Sequence, residues 1–391
     1  MMKQARTLAL VVVVALAAGF LASTGATSAS AEAPANGAMS WWGYWAGKKG
    51  DTMPGVKYIK QGKAKPFGTN IILIHAQADN GNLPALKDTL VRAQAQNVKV
   101  ILMLDRLLRK PDLPGNGCGF FCDPDWVYTA DDYAQWNARL QQLRDGIGDA
   151  VSAITMIAGF DEVNVYWSAA FQAAPGQPNP IPYAMQLAAQ YFPTVPNRGH
   201  VWKIGAPSDN SVLAPPNADT LEGSTLPLAY YYSTLVGPYD STTVPYCPHL
   251  GTLPGAQLPD GSKLVQDRDV LKLFVDTVNA VRGNSTTPVL YIPYSNIVGN
   301  VASPVASRAI GCHLEAWWTW MHCKALRNPN SWAGQVRGFL AWQWDKEPDT
   351  VDSVTGQITK GWTGTQSNPY LKRSGKWIGA NRDTVPCPTS M

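Results

Sequence analysis

The chain has 391 residues, of which 45% are hydrophobic and only 15% are charged, and its formal net charge is +4. This length is sufficient for one large domain with a sizeable core or for two ordinary domains. The nearly neutral charge, without a run of Lys or Arg, argues against binding to nucleic acid.

Residues 1–31 have the pattern of a secretory signal peptide. Lys3 and Arg6 precede the apolar stretch 8–21, and residues 29–31 form an A-x-A cleavage site. We therefore expect residues 32–391 to be a single domain that is secreted to the extracellular space or the periplasm. A membrane anchor is the competing interpretation, but the apolar stretch is short, so we expect no stable membrane insertion after cleavage.

Downstream, short β-type runs alternate with longer helical runs, which is typical of a parallel sheet with crossover helices. The predicted strands are 40–45, 70–75, 98–104, 154–160, 201–206, 226–231, 289–293 and 336–342. The clear helices are 83–96, 130–150, 265–282 and 305–326. This order fits an α/β fold of the (β/α)8 TIM-barrel type better than a doubly wound sheet. Gly- and Pro-rich segments at 172–182, 206–216 and 236–262 predict long loops on its C-terminal face.

Six cysteines, an even number on a chain predicted to be exported, indicate three disulfides. Cys118 and Cys122 are expected to close a small loop after the third strand. The helix after the seventh strand runs away from the mouth of the barrel, which pairs Cys247 with Cys312 near its start and Cys323 with Cys387 near its end. Metal ligation is the alternative, but no second close pair of Cys or His completes a tetrahedral site. The sequence predicts no metal and no other cofactor.

The most informative segment is 154–167, because an apolar run leads directly into Asp161 and Glu162. Two adjacent carboxylates at the carboxyl end of a buried strand are costly to place and usually have a function. Strand ends of this kind hold the acids and bases of barrel enzymes. The alternative is a helix N-terminus, with Asp161 as its cap and Glu162 in its first turn.

Residues just past the eight strands should converge on one mouth, and this set is rich in carboxylates and aromatic rings. Flat rings cover the apolar face of a sugar while acids and amides bind its hydroxyl groups, so the set predicts glycan binding. Strand alternation would turn some of these side chains outward, with Trp42 and Trp344 the first candidates. The expected substrate contacts are Trp42, Trp45, His75, Asp105, Asn164, Tyr231, Tyr294, Asn296, Trp342 and Trp344. For Asp105, a salt bridge to Arg106 or Arg109 is the alternative.

The acid after the fourth strand resembles that of the large clan of retaining (β/α)8-barrel glycoside hydrolases, in which it faces a nucleophilic Glu after strand seven. Residues 290–296 contain no carboxylate, so the second group must differ. Asp345, after strand eight, is the candidate base or nucleophile, and opposite strands favour the carboxylate separation of an inverting enzyme, roughly 6.5–9.5 Å. Alternatively, Gly159-Phe-Asp-Glu-Val163 is similar to the Gly-Gly-Asp-Glu-Val element of β-hexosaminidase barrels. That resemblance implies a substrate-assisted mechanism, in which Asp161 orients an N-acetyl group and Glu162 is the acid.

The sequence thus predicts a secreted hydrolase that cleaves glycosidic bonds in a polysaccharide or cell-wall glycan. Glu162 is the expected acid, Asp161 its electrostatic partner and Asp345 the second carboxylate. Two alternatives stay open. One is a non-catalytic glycan-binding barrel, and the other is a barrel lyase or phosphodiesterase that uses His75 with Asp105 and Arg106.

Three tryptophans at 317, 318 and 320 lie within one predicted helix. At least two of them must face the barrel at helical spacing, so they are expected to be core residues rather than a ligand-binding patch.

Overall fold

The computed structural model describes residues 39–45, 58–59, 61–76, 81–109, 126–166, 171–204, 215–231, 262–284, 286–293, 297–298, 304–342, 350–351, 358–359, 362–363, 368–385 and 387. The predicted signal peptide lies outside these residues, as do Cys118, Cys122, Cys247, Tyr294, Asn296, Trp344 and Asp345.

Eight parallel strands form the centre of the molecule, and each predicted strand is present. They are β1 Trp41–Trp45, β2 Ile71–His75, β3 Lys99–Met103, β4 Ile154–Ala158, β5 in two parts (Asn197–Gly199 and Val201–Ile204), β6 Leu228–Tyr231, β7 Val289–Pro293 and β8 Val336–Trp342. Neighbours in the sheet follow chain order, and β1 pairs with β8 as well as with β2. The sheet therefore curls back on itself, as a barrel requires.

The barrel closes through β5, whose two parts are separated only by His200. The first part pairs with β4 and the second with β6. Backbone hydrogen bonds continue across the break, since Val201 N donates to Phe160 O and Leu228 N donates to His200 O, each at 3.0 Å. The parallel strands with helices around them confirm the predicted (β/α)8 class.

Helices connect the strands. They are α1 Leu83–Ala95, α2 Asp105–Leu108, α3 Ala130–Ile147, α4 Val163–Tyr166, α5 Pro180–Tyr191, α6 Ala218–Leu221, α7 Ser262–Arg282, α8 Pro304–Arg327 and α9 Pro369–Asn381. Short 3-10 turns span Lys65–Phe67, Gly148–Ala153 and Trp332–Gln335. Outside the barrel, Trp126–Tyr128 pairs with Phe171–Ala173, Ile297–Val298 with Trp362–Thr363, and Thr350–Val351 with Ile358–Thr359.

The four predicted helices are present as α1, α3, α7 and α8, and local signals explain two of their ends. Thr129 and Asp132 form a capping box at the start of α3, in which Thr129 N donates to the Asp132 carboxylate at 2.8 Å. Gly283 follows α7 with a φ of +64°, a left-handed conformation that glycine adopts at little cost.

Two of the longer helices, α5 and α9, were not predicted. Each begins after an asparagine whose side chain caps it: Asn179 Oδ1 accepts from Ile181 N, and Asn368 Oδ1 accepts from Tyr370 N, both at 3.0 Å. A proline follows each cap, which suits the first turn of a helix because that position needs no N–H donor. The segment 172–182, predicted to be a loop from its Gly and Pro content, therefore ends inside α5.

The core has two parts, one inside the barrel and one between the strands and the helices. The inner part consists of apolar side chains that point from the strands into the barrel. Its fully buried members include Ile71, Leu73, Ile101, Met103, Met156, Val201, Leu228, Leu290, Ile292 and Leu340. Trp45 and Tyr230 complete it at the carboxyl ends of β1 and β6. The barrel is thus filled, and any ligand must bind at its mouth.

The outer part of the core contains Trp42, which corrects its predicted role as a substrate contact. Its ring packs edge-on against Trp318 of α8 at 5.5 Å, and its Nε1 donates to Phe67 O at 3.1 Å. Trp42 is fully buried because alternation along β1 turns it away from the barrel interior, opposite to Trp45. Trp317 and Trp318 are buried as well, which confirms their assignment to the core.

The C-terminal segment packs on the outside of β1, and its end lies near the turn that precedes β2. α9 packs on α8 and on the turn before β2, and a side chain at Gly375 would collide with the Tyr44 hydroxyl. After α9, Cys387 is bonded to Cys323 near the end of α8, with their Cα atoms 5.4 Å apart, as predicted. Cys312 is also disulfide-bonded, and its partner lies outside the described residues.

No helix among the described residues is long and apolar enough to cross a membrane. Within the same residues, no three His, Cys, Asp or Glu side chains lie together in a way that could hold a metal ion.

Candidate active site

The two carboxylates of the most informative segment lie where β4 ends. The strand stops at Ala158, Gly159 and Phe160 follow without regular structure, and Asp161 and Glu162 form a bend before the single turn of α4. The strand-end and helix-start interpretations therefore both describe part of the geometry. Glu162 has a φ of +44°, a left-handed conformation that costs a non-glycine residue free energy and is concentrated at functional sites.

His200 fixes the backbone of this bend. Its Nδ1 accepts a hydrogen bond from Phe160 N at 3.0 Å, so its proton resides on Nε2, which donates to Ile181 O at 3.1 Å. The imidazole also stacks on the Phe160 ring, with centroids 5.5 Å apart. Burial lowers the pKa of His200 to about 4, so the ring stays neutral in this role. A Cβ at Gly159 would lie 2.6 Å from the His200 ring, which explains the glycine.

Asp105, the first residue of α2, is held by an ion pair beneath the bend. Arg109 Nη2 lies 2.8 Å from Asp105 Oδ2, and Asp161 N donates to Asp105 Oδ1 at 3.2 Å. The Asp105 side chain is only 5% exposed. Of its two predicted roles, the structure shows the salt bridge. Asp105 is thus a positioning residue for the Asp161 backbone rather than a substrate contact.

Asp161 has an unusual environment for a carboxyl group. Its Oδ1 is fully buried and has no hydrogen-bond partner among the described residues. Burial raises the pKa of Asp161 well above its usual range, and the negative charges of Glu162 and Asp105 raise it further, against a smaller opposing effect of Arg109. Asp161 therefore favours the neutral acid over the carboxylate.

Trp45, His75 and Tyr230 come together at the carboxyl ends of three strands. Trp45 Nε1 donates to His75 Nε2 at 3.1 Å, and the ring centroids of Trp45 and Tyr230 are 6.5 Å apart. His75 is partly exposed, whereas Trp45 and Tyr230 are almost completely buried. The predicted contacts Trp45 and His75 thus lie side by side at the mouth, on top of the apolar interior.

Asn164 differs from its predicted role as a substrate contact. Its side-chain amide is paired with one backbone unit of β5, since Nδ2 donates to Lys203 O at 2.8 Å and Oδ1 accepts from Lys203 N at 2.9 Å. Both polar ends of the amide are occupied, and the side chain is buried. Asn164 therefore anchors α4 to β5.

Sequence reasoning missed two residues of this region, Tyr230 and His200. Arg109, named from the sequence as one possible partner of Asp105, follows it at the i+4 spacing of a helical ion pair. Tyr230 precedes the predicted Tyr231, and a one-residue choice of strand phase decides which of the two faces inward. His200 lies between two strand segments and has no local signal. Tyr231 and Trp342 end β6 and β8, but their side chains are outside the described part of the structure.

No protein-family model and no curated protein matches the chain. Solved structures do. A GH5_18 variant from Bifidobacterium longum subsp. longum, in complex with Manβ1-4GlcNAc, matches with a TM-score of 0.50 and 11% identity, over 86% of this chain and 74% of that chain. A GH5_18 variant from Streptomyces cattleya gives a TM-score of 0.49 and 12% identity over 86% and 77%. A β-glucosidase from Thermotoga maritima, in complex with cyclophellitol, gives 0.45 and 11% over 87% and 89%.

At this identity the first of these similarities shows the fold alone. The chain has a (β/α)8 barrel of the kind that occurs in glycoside hydrolases, as the segment around Glu162 led us to expect.

Proposed function

We propose that the chain is a glycoside hydrolase that cleaves glycosidic bonds in a polysaccharide or cell-wall glycan. The observation that carries this proposal is the Asp161–Glu162 pair at the carboxyl end of β4, held by His200 and Asp105 beside the aromatic mouth. In a (β/α)8 barrel this position is where catalytic acids are found. The fold shared with a glycoside hydrolase agrees with the proposal.

In the proposed reaction the Glu162 carboxyl donates its proton to the glycosidic oxygen while the bond from that oxygen to the anomeric carbon breaks. Asp345, which lies outside the described residues, takes a proton from the water that attacks the anomeric carbon. The products are two sugars, one with a new anomeric hydroxyl. Asp345 follows β8 in the sequence, and β8 lies across the barrel from β4, an arrangement that favours inversion. A substrate-assisted mechanism is the alternative.

The lyase or phosphodiesterase alternative loses support at His75. A general base must accept a proton, but Nε2 of His75 already accepts the Trp45 N–H. Burial, Arg106 and Arg109 lower the pKa of His75 to about 3, far below the range that a base needs near neutral pH. His75 is therefore unsuited to proton abstraction.

The test is a panel of cello-, manno-, xylo- and N-acetylglucosamine oligosaccharides, Manβ1-4GlcNAc and bacterial peptidoglycan, with product release measured for each. On the substrate that is cleaved, Glu162→Gln should reduce kcat by about 10²–10⁴-fold, because an amide keeps the shape but cannot donate the proton. Binding of the glycan and folding should be retained. The matched control is Glu222→Gln, at an exposed position, which should behave like the wild type.

Asp345→Asn separates the mechanisms: it should cost nearly as much as Glu162→Gln if Asp345 is the base, and little if the substrate assists. Full activity of Glu162→Gln contradicts the acid assignment. A wild type that binds a panel member without cleaving any of them favours the non-catalytic glycan-binding barrel.

Export of the chain is part of the same proposal. Cleavage after the residues 29–31 should give a mature protein that begins at Glu32. N-terminal sequencing of protein recovered from the medium or the periplasm checks this, and an intact Lys3-containing N-terminus in a membrane fraction contradicts it.

A further inference from the structure

The structure shows which ring nitrogen of His75 accepts a hydrogen bond and therefore carries no proton. The indole N–H of Trp45 is a donor only, so the 3.1 Å contact makes His75 Nε2 the acceptor. A neutral imidazole that accepts at Nε2 carries its proton on Nδ1. Trp45 therefore fixes the tautomer of His75, and Nδ1–H is a hydrogen-bond donor of fixed direction.

This donor has no acceptor within the described part of the chain, although Nδ1 itself is buried. An unsatisfied buried donor is costly, and most such groups in proteins are hydrogen-bonded. His75 as a residue is partly exposed and lies at the mouth, not in the filled interior of the barrel. Because Nδ1 itself has almost no accessible surface, a ligand at the mouth can supply the missing acceptor only by displacing the side chains that cover this atom.

The charges near His75 select which ligand atom can fill this position. The charged groups that act on it are Arg106 and Arg109 of α2, both of which oppose protonation of the ring, as burial does. A neutral N–H donor beside the Trp45 indole fits a neutral oxygen acceptor on a molecule that has an apolar face. A sugar hydroxyl or ring oxygen has this chemistry.

We propose that His75 binds an oxygen of the glycan through Nδ1–H, with Trp45 as the residue that fixes the donor tautomer. This inference rests on the proposed function and adds to it a specificity-determining contact. It assigns His75 to neutral hydrogen-bond donation rather than to acid–base chemistry, so the contact keeps its strength from neutral pH down to about pH 4.

The variants His75→Asn and His75→Phe test the donor. The Asn side-chain amide places an N–H near the position of Nδ1, whereas Phe keeps the ring and removes the donor. Both are combined with Glu162→Gln, so that binding of the panel oligosaccharide that the wild type cleaves fastest is measured by calorimetry without turnover. Loss of the bond in His75→Phe should weaken binding by about tenfold, and His75→Asn should stay within about threefold of the parent.

The tautomer is read independently of any substrate by ¹⁵N NMR of histidine-labelled wild type. The His75 signals should show a protonated Nδ1 and an unprotonated Nε2, without titration between pH 8 and pH 4. In Trp45→Phe the donor to Nε2 is lost, so both tautomers should appear and the ring should titrate at higher pH.

The outcomes are distinct. If the wild type cleaves a panel member and His75→Phe binds it as tightly as the parent, the inference is wrong while the proposed function stands. A protonated Nε2 in the wild type also overturns the inference. If no panel member is bound or cleaved by the wild type, both the proposed function and the glycan contact fail, and the NMR result then concerns only the Trp45–His75 pair.

Discussion

At the scale of single residues, Asp161 shows how position rather than residue type sets the chemistry of the site. It is adjacent to Glu162, its backbone N–H is bonded to Asp105, and its Oδ1 is buried without a partner among the described residues. Ionisation of Asp161 would place a negative charge beside Asp105, whose compensating cation, Arg109, is already paired. Burial and this neighbouring charge raise the pKa of Asp161, which disfavours the negative charge expected of an electrostatic partner.

The raised pKa of Asp161 should make the free energy of unfolding depend on pH. A carboxyl group whose pKa is raised in the folded protein binds its proton more tightly there than in the unfolded chain. Its contribution to stability is complete below the ordinary aspartate pKa and is lost as the pH rises through the folded-state pKa. Asp161→Asn removes that loss, so the variant should match the wild type near pH 4 and be more stable than the wild type at pH 8.

The measurement is urea unfolding at both pH values, with Asp219→Asn at an exposed position as the matched control. Equal stability differences at pH 4 and pH 8 would mean that Asp161 is ionised in the folded protein.

At the scale of elements, the interruption of β5 joins the closure of the barrel to the geometry of the site. The residue at the break, His200, bonds the bend after β4 and the first turn of α5 with its two ring nitrogens. Asn164 ties α4 to the second part of β5. The strand that closes the barrel thus also holds both sides of the Asp161–Glu162 bend.

His200→Phe keeps the buried ring and the stack but leaves Phe160 N and Ile181 O unpaired. We expect a loss of about 2–6 kcal/mol in the free energy of unfolding at pH 7, from two buried groups at about 1–3 kcal/mol each. The lowered pKa of His200 also makes the wild type lose stability as the pH falls from the ordinary histidine pKa of 6.5 toward about 4. The difference between wild type and variant should therefore shrink by about 3 kcal/mol between pH 7 and pH 4.

Chemical unfolding of both proteins at several pH values checks this prediction. A difference that does not depend on pH would mean that His200 is not the buried neutral acceptor that the structure shows.

The elements that could be predicted from sequence are those with a local signal. Apolar runs predicted the eight strands, and two of the predicted helices have ends that carry a local signal, the Thr129 capping box and Gly283. The prolines that start α5 and α9 occur both in loops and in the first turn of helices. Only the tertiary packing of these two helices decides between the two structures.

The direction of the side chains at the strand ends could not be predicted from the sequence either. Trp42 and Trp45 both follow the β1 pattern, yet one faces α8 and the other the mouth. The phase of a strand reverses with a shift of one residue, so a list of strand-end residues mixes inward and outward side chains. Asn164 was identified as polar and near the site, but its acceptor and donor are backbone groups of β5, a partner that no sequence spacing reveals.

At the scale of the whole molecule, the barrel separates chemistry from stability. The Asp161–Glu162 bend and the Trp45–His75 pair lie at the carboxyl ends of the strands. Toward the opposite face, the end of α9 packs on the turn before β2, with Gly379 in close contact with the backbone of Phe67. Arg382 donates to Gly68 O at 3.0 Å, and the Cys323–Cys387 disulfide follows. This division is typical of (β/α)8 barrels, in which one face carries function and the other stability.

The double variant Cys323→Ala with Cys387→Ala tests this division. The disulfide spans 64 residues and includes α9, so its removal should lower the free energy of unfolding by about 2–4 kcal/mol, because the unfolded chain regains freedom. The site lies at the other end of the barrel, so kcat and KM on the cleaved glycan should stay within about twofold at temperatures where the variant is folded. Urea unfolding and steady-state kinetics measure the two effects separately. A large fall in kcat with unchanged stability would show that the C-terminal segment acts on the site, and that the two faces of this barrel are coupled.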